Sequence, residues 1–215
     1  MKYIWQEKLE KKVKDYLEDF SASHDFYHAK RVRDNALRIT KQVKCDEEVL
    51  IAAALLHDTG YKGHDDHKHH FQYSIEIARK WLPEVDFPAS KLDDVIEAIR
   101  LHDNFAWGHD GEKTDHIETK ILQDADRIEA LGAIGTARIA YYYGERGLPI
   151  ITDKPVPESK EVFLDHSFLD ALDRISVKDY ENLNFPYSKK IAEKRYQFTK
   201  NFLIELQGEL RSDDL

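Results

Sequence analysis

Apolar residues recur at spacings of three and four along almost the whole chain, and no stretch alternates apolar with polar residues as a half-buried strand would. The pattern predicts an all-α protein. Ala29, Val32, Ala36, Ile39 and Val43 make one stripe of a helix that follows Ser23, a residue suited to capping, and fades near Cys45. Asp46 is placed to cap the next helix, which runs from about Glu47 to Asp58 and which Gly60 is expected to end in the left-handed conformation. From Val49 to Leu56 that helix is apolar on every side, so it should be buried. Further patterns predict helices over 67–82, 90–102, 115–144 and 187–210, with Pro83 and Pro88 bounding one break and "GHDGEKTD" filling another. The stretch 146–186 holds four of the six prolines, is the least regular, and should carry a short helix over 167–175. No repeat, low-complexity tract or linker divides the sequence, so residues 1–215 are expected to form one domain.

Composition narrows the functional classes. A chain of 215 residues can bury a substantial core. Its formal net charge of -9 argues against general binding to nucleic acid or to a membrane surface, so an anionic substrate must be received at a locally positive site. The single cysteine, Cys45, excludes an internal disulfide and every multi-cysteine zinc site, and suits a reducing, cytoplasmic setting. "MKYIWQEKLEKKVKDYLEDF" lacks the apolar centre of a signal peptide, and the run Val49 to Leu56 is far shorter than the roughly 20 residues a membrane span needs. Ile191, Phe198, Phe202, Leu203 and Leu206 form an ordinary amphipathic stripe that can pack on the core or on a second subunit, which leaves a homodimer open. The run Tyr141-Tyr142-Tyr143 is more economically explained by packing at a helix end than by stacking on a base.

The chemistry concentrates where the apolar helix ends, at His57-Asp58. An ionised aspartate there is costly unless it is hydrogen-bonded, paired or bound to a metal. Taken alone the pair fits a satisfied core histidine and an aspartate that caps the next turn; its surroundings change the balance. His28 stands in "SHDFYHAKRV", and Asp124 and Asp126 stand in "ILQDADRIEALGAIGTARIAYYYG". Imidazoles and carboxylates from several helices make an N/O donor set suited to manganese, iron, cobalt, nickel, zinc or magnesium. Four such donors around a six-coordinate ion leave two positions for a water and a phosphate oxygen. Helical phase places Asp124, rather than Asp126, nearer the apolar face of Ile117, Ile121 and Ile128. His24 and His28 share an H-x-x-x-H spacing that could seat a zinc by itself, but His24 is expected to be an exposed first-turn residue.

The order of "HAKRV", "LLHDTG" and "DADR" resembles the H…HD…D signature of the HD-domain metal-dependent phosphohydrolases, and "LLHDTGY", "AIRLHD" and "LQDADRIEALGAIGTAR" are similar to their YpgQ-like bacterial branch. The resemblance covers about residues 20–147. It implies an HD-type helical bundle, with 148–215 adding an irregular segment and C-terminal helices. It further implies one divalent metal held by His28, His57, Asp58 and Asp126, leaving Asp124 to support a ligand, and hydrolysis of nucleotide phosphates, with pyrophosphate release from nucleoside triphosphates. By the same resemblance His70 and His102 match histidines with acid/base or second-metal roles.

Arg31, Lys62 and Arg127 adjoin these positions and could contact substrate phosphate, although the arginines could equally orient a carboxylate. Roles for His64, His67 and His69 stay open, and Asp65 and Asp66 are weak candidates for positioning water. Thr59-Gly60-Tyr61 follows the HD pair without the acidic residue that some nucleotidase relatives carry, and no G-Y-P element of cyclic-dinucleotide phosphodiesterases is present. The competing expectations are a di-metal hydrolase or oxygenase that uses His70 and His102, and a non-catalytic nucleotide-binding regulatory module.

Overall fold

The structure, a computed structural model, describes residues 3–64, 69–104, 111–155 and 166–211. Among the described residues there are nine α-helices and no strand, so the protein is all-α. They form two compact units, Met1–His102 with Glu112–Asp126, and Asp103–Gly111 with Arg127–Leu215.

The first unit is built round α3(Glu47–Leu56), against which α1(Ile4–Tyr16), α2(Phe26–Ile39), α4(His70–Glu84) and α5(Leu92–Arg100) pack. Every residue from Val49 to Leu56 is buried, as its all-round apolar character requires. The start of α3 is fixed by charge and hydrogen bonding. Asp46 accepts the amide protons of Glu48 and Val49, Lys91 bridges Asp46 at 2.7 Å and Glu48 at 2.5 Å, and the Trp5 indole donates to Glu48. α6(Ile117–Glu129) lies in this unit as far as Asp126, and Glu118 at its start accepts the Asp46 amide proton.

In the second unit α7(Gly132–Glu145), α8(Phe168–Glu181) and α9(Pro186–Arg211) pack on one another around Ile139, Tyr143, Phe168, Leu172, Ile175 and Leu203. Of the expected apolar stripe on α9, Leu203 joins this cluster and Phe202 and Leu206 flank it, whereas Phe198 is exposed. Tyr143 packs in the same cluster, and Tyr142 lies against it.

Several local expectations are corrected. The cap of α2 is Asp25, which accepts the His28 amide proton, while Ser23 instead bonds Ser21 and His24. The predicted helix over 115–144 is two helices: Gly132 has φ of 81° and its amide donates to Thr199, so the chain turns although the apolar pattern runs through. Pro83 lies inside the last turn of α4, where it lacks the amide that would bond the carbonyl four residues back, and the helix stops one residue later at Glu84, ahead of a left-handed Asp86. The short helix expected over 167–175 extends to Glu181, capped by Ser167, whose hydroxyl accepts the Asp170 amide proton. Residues 67 and 68, the expected start of α4, lie outside the described residues.

Replacing the cap by Asp46→Ala should lower stability by about 1 kcal/mol, a fall of about 2–4 °C in thermal midpoint by calorimetry. Burial opposes ionisation of Asp46, but the Lys91 contact and the Val49 and Glu48 amides outweigh it and depress its pKa. The wild-type advantage should therefore be complete above the ordinary value of 3.8 and disappear as the pH falls through the lower folded value.

Candidate metal centre

The chain turn at the end of α3 is held by its own main chain. The His57 amide donates to the Ala53 carbonyl at 2.9 Å, and the ring Nδ1–H donates to the Ala54 carbonyl at 3.0 Å. That bond keeps a proton on Nδ1 and leaves Nε2 as the ring nitrogen that faces away from the helix. Thr59 Oγ1 donates to the Leu56 carbonyl, and Ser74 Oγ donates to the His57 carbonyl at 2.6 Å while accepting the Gly60 amide proton. Gly60 is not left-handed, contrary to expectation. A methyl group there would stand 2.0 Å from the His70 carbonyl oxygen and 2.6 Å from the Ser74 nitrogen, so this glycine permits a close approach of two main chains.

Four side chains converge beyond this turn. His28 Nε2 lies 3.2 Å from His57 Nε2, 3.1 Å from Asp58 Oδ2 and 3.6 Å from Asp126 Oδ1. His57 Nε2 lies 3.3 Å from Asp58 Oδ2 and 3.9 Å from Asp126 Oδ1. Atoms about 2.1 Å from a shared ion are separated by about 3.0–3.4 Å at octahedral or tetrahedral angles. The shorter distances match these edges, and Asp126 is within a small side-chain adjustment of them. The donor set and its spacing therefore fit a divalent ion.

The other edge of Asp58 is also occupied by imidazoles. Its Oδ1 is 3.3 Å from His102 Nε2 and 3.5 Å from His70 Nε2, and those two nitrogens are 3.2 Å apart. His102 repeats the device seen at His57, its Nδ1–H donating to the Ile99 carbonyl at 2.7 Å, three residues back. His57, Asp58 and His102 thus make a second group of donor atoms within 4.8 Å of one another. Burial pushes the Asp58 carboxyl up, but the field of His57 and hydrogen bonds from His102, His28 and His57 prevail and hold it well below the usual carboxylate range.

The remaining expected residues fall in different places. Asp124 is fully buried, as helical phase indicates, while the half-buried Asp126 faces His28 and His57. Lys62 donates to the Tyr16 carbonyl and lies over the Tyr16 ring. Arg127 donates to the carbonyls of Asn182 and Asn104. Arg31 is half-buried, and burial lowers its pKa while Asp25 raises it. His64 is exposed and stacks on Tyr73, His69 is exposed, and Asp65, Asp66 and His67 lie outside the described residues. His24 departs from expectation: it precedes α2, is half-buried, and brings Nε2 to 4.0 Å from Asp58 Oδ2. Two residues escape sequence reasoning altogether. Tyr61 stacks on His70 and His24, and Ser74 ties α4 to the HD turn; a tyrosine after glycine and a helical serine carry no distinctive signal.

Residues 25–131, which contain all six clustered side chains, match the model of the HD domain. The chain carries an HD domain over these residues. HD domains bind divalent metals, which agrees with the capacity of the His/Asp cluster. The sequence is 29% identical to the uncharacterized protein YpgQ of Bacillus subtilis over 204 residues, covering 94% of this chain and 92% of that one. A structure of YpgQ in complex with ADP shares the fold, with a TM-score of 0.67 at 24% identity over 95% of this chain and 94% of that one. A Lactobacillus plantarum protein superposes with a TM-score of 0.82 at 21% identity over 97% of both chains. An HD-superfamily hydrolase of Bacillus thuringiensis does so with 0.68 at 26% identity over 96% of both. The family thus supports a hydrolase. Among the described residues no helix is long and apolar enough to cross a membrane.

Because Gly60 stands against the His70 and Ser74 main chain, Gly60→Ala should force the HD turn and α4 apart. We expect a loss of about 1–3 kcal/mol in urea denaturation and weaker manganese binding in calorimetry, whereas Gly144→Ala, within α7 and with open space around the added methyl, should leave manganese binding intact.

Proposed function

We propose that this protein is a divalent-metal-dependent phosphohydrolase acting on nucleotides, and that its favoured reaction releases pyrophosphate from a nucleoside triphosphate. The observation that carries the reading is the convergence of His28, His57, Asp58 and Asp126 within 3.1–3.9 Å. The ADP complex of YpgQ supports a nucleotide as ligand.

A bound ion would supply Lewis-acid polarisation of a phosphoryl oxygen and a water of lowered pKa. The protein's own groups do the rest. His28, His57, Asp58 and Asp126 present their donor atoms in a fixed array, and the Ala54 carbonyl keeps the His57 tautomer competent. Water oxygen forms a bond to the α-phosphorus as the bond to the bridging oxygen breaks, leaving monophosphate and pyrophosphate. His70 and His102, at the second edge of Asp58, are the candidates to take the water's proton or to protonate the departing oxygen. Arg31, Lys62 and Arg127 are candidate phosphate contacts, with Asp124 supporting the array. Lys62 and Arg127 would have to exchange a main-chain carbonyl for the phosphate.

A second reading uses the same residues for two ions, and it is favoured by one observation: the two oxygens of Asp58 face different imidazole pairs. His70 and His102 would then be ligands. A non-catalytic nucleotide-binding module ranks lower because all four donors are present.

With manganese added, the purified protein should hydrolyse members of a nucleotide panel, and Asp58→Ala should lose at least about 100-fold in rate. Absence of turnover by the wild type, or equal turnover by the variant, would remove the reading. Counting ions by mass spectrometry separates the alternatives. One tightly held ion per chain fits His70 and His102 as proton carriers; two, falling to one in His102→Ala, fit the di-metal site.

A further inference from the structure

His57 and His102 are aimed by the same device, a ring Nδ1–H bonded to a carbonyl one helical turn behind. His70 opens α4, so α4 itself offers no such carbonyl. The Tyr61 ring lies flat on the His70 ring, with centroids 4.1 Å apart and planes 8° from parallel. The opposite edge of the cluster meets the same tyrosine: His24 packs on Tyr61 at 4.3 Å and 32°, its Nδ1 3.0 Å from Ser23 Oγ, itself 2.6 Å from Ser21 Oγ. The two imidazoles that Tyr61 touches bracket Asp58, with Nε2 of His70 3.5 Å from Oδ1 and Nε2 of His24 4.0 Å from Oδ2.

Tyr61 is in turn held by the HD turn. It closes the 3₁₀ turn Thr59–Tyr61, its amide donates to the Asp58 carbonyl at 3.1 Å, and the preceding Gly60 is pressed on the His70 and Ser74 main chain. A residue covalently tied to Asp58 and stacked on His70 couples the position of the carboxylate to that of the imidazole facing it.

We propose that Tyr61 is a positioning residue whose ring stack fixes the Nε2 edges of His70 and His24 against the two oxygens of Asp58. This rests on the phosphohydrolase reading only for its kinetic consequence. A flat aromatic surface confines the imidazole plane yet donates and accepts nothing at Nε2, which leaves that nitrogen to face the carboxylate and whatever binds there. The side chain acts through its π-face, so the ring rather than the hydroxyl is the operative feature.

The test compares Tyr61→Phe, which keeps the ring, with Tyr61→Leu, and with Tyr61→Met should the leucine protein fail to melt cooperatively. Crystal structures without added metal should show His70 Nε2 still near 3.2 Å from His102 Nε2 in Tyr61→Phe and displaced by more than 1 Å in the aliphatic variant. With manganese and the best nucleotide, Tyr61→Phe should retain kcat within about threefold, and the aliphatic variant should lose at least tenfold in kcat with KM within about twofold. An unmoved His70 in the aliphatic variant overturns the proposal, and so does a phenylalanine variant as impaired as the aliphatic one. A wild type without turnover removes the phosphohydrolase reading alone, since the position of the His70 ring still tests the stack.

Discussion

A buried carboxylate at the end of an apolar helix is the constraint on which the first unit depends. Asp58 follows a helix with no polar surface and is itself 8% exposed, so it must meet positive or hydrogen-bonding groups within the protein. The protein meets this demand with imidazoles on both oxygens: His28 and His57 on one, His70 and His102 on the other. α2, the end of α3, the start of α4 and the second residue after α5 are thereby committed to a common point. The surrounding packing follows from that commitment, since Ser74 and Gly60 bring α4 and the HD turn into main-chain contact.

The same arrangement accounts for the identities of the supporting groups. A histidine can offer a lone pair at one nitrogen only if its proton is held at the other. Ala54 and Ile99 provide that service through carbonyls already present in the helical turns, so the tautomers of His57 and His102 depend on no further side chain. Cations placed close to the cluster would compete with a divalent ion. Lys62 and Arg127, though adjacent in sequence to the cluster, donate to main-chain carbonyls.

Much of this was legible in the residues. The all-round apolar run gave the buried helix, Asp46 its cap, and the ordered His28, His57-Asp58 and Asp126 the cluster. Apolar phase and family pattern disagreed over Asp124 and Asp126, and each was sound on its own ground: the first marks the residue facing the core, the second the residue facing the polar cluster. Periodicity missed the break at Gly132 because the apolar spacing runs on from α6 into α7, and a lone glycine within such a run does not announce a turn. Gly60 was assigned the wrong reason, since glycine's freedom in φ and its lack of a side chain look identical in sequence. His24 and Tyr61 were underrated because their part in the cluster arises from ring packing between residues of different segments, which no spacing rule encodes.

The carbonyl that sets the His57 proton belongs to the final turn of α3, and the His57 amide closes that turn on Ala53. Fraying of this one turn would release the ring and let its proton migrate, so ligation and local helicity are a single linked equilibrium. A cation gripping Nε2 would register in the slowed solvent exchange of the amide hydrogens at the carboxyl end of α3, within an otherwise dry helix.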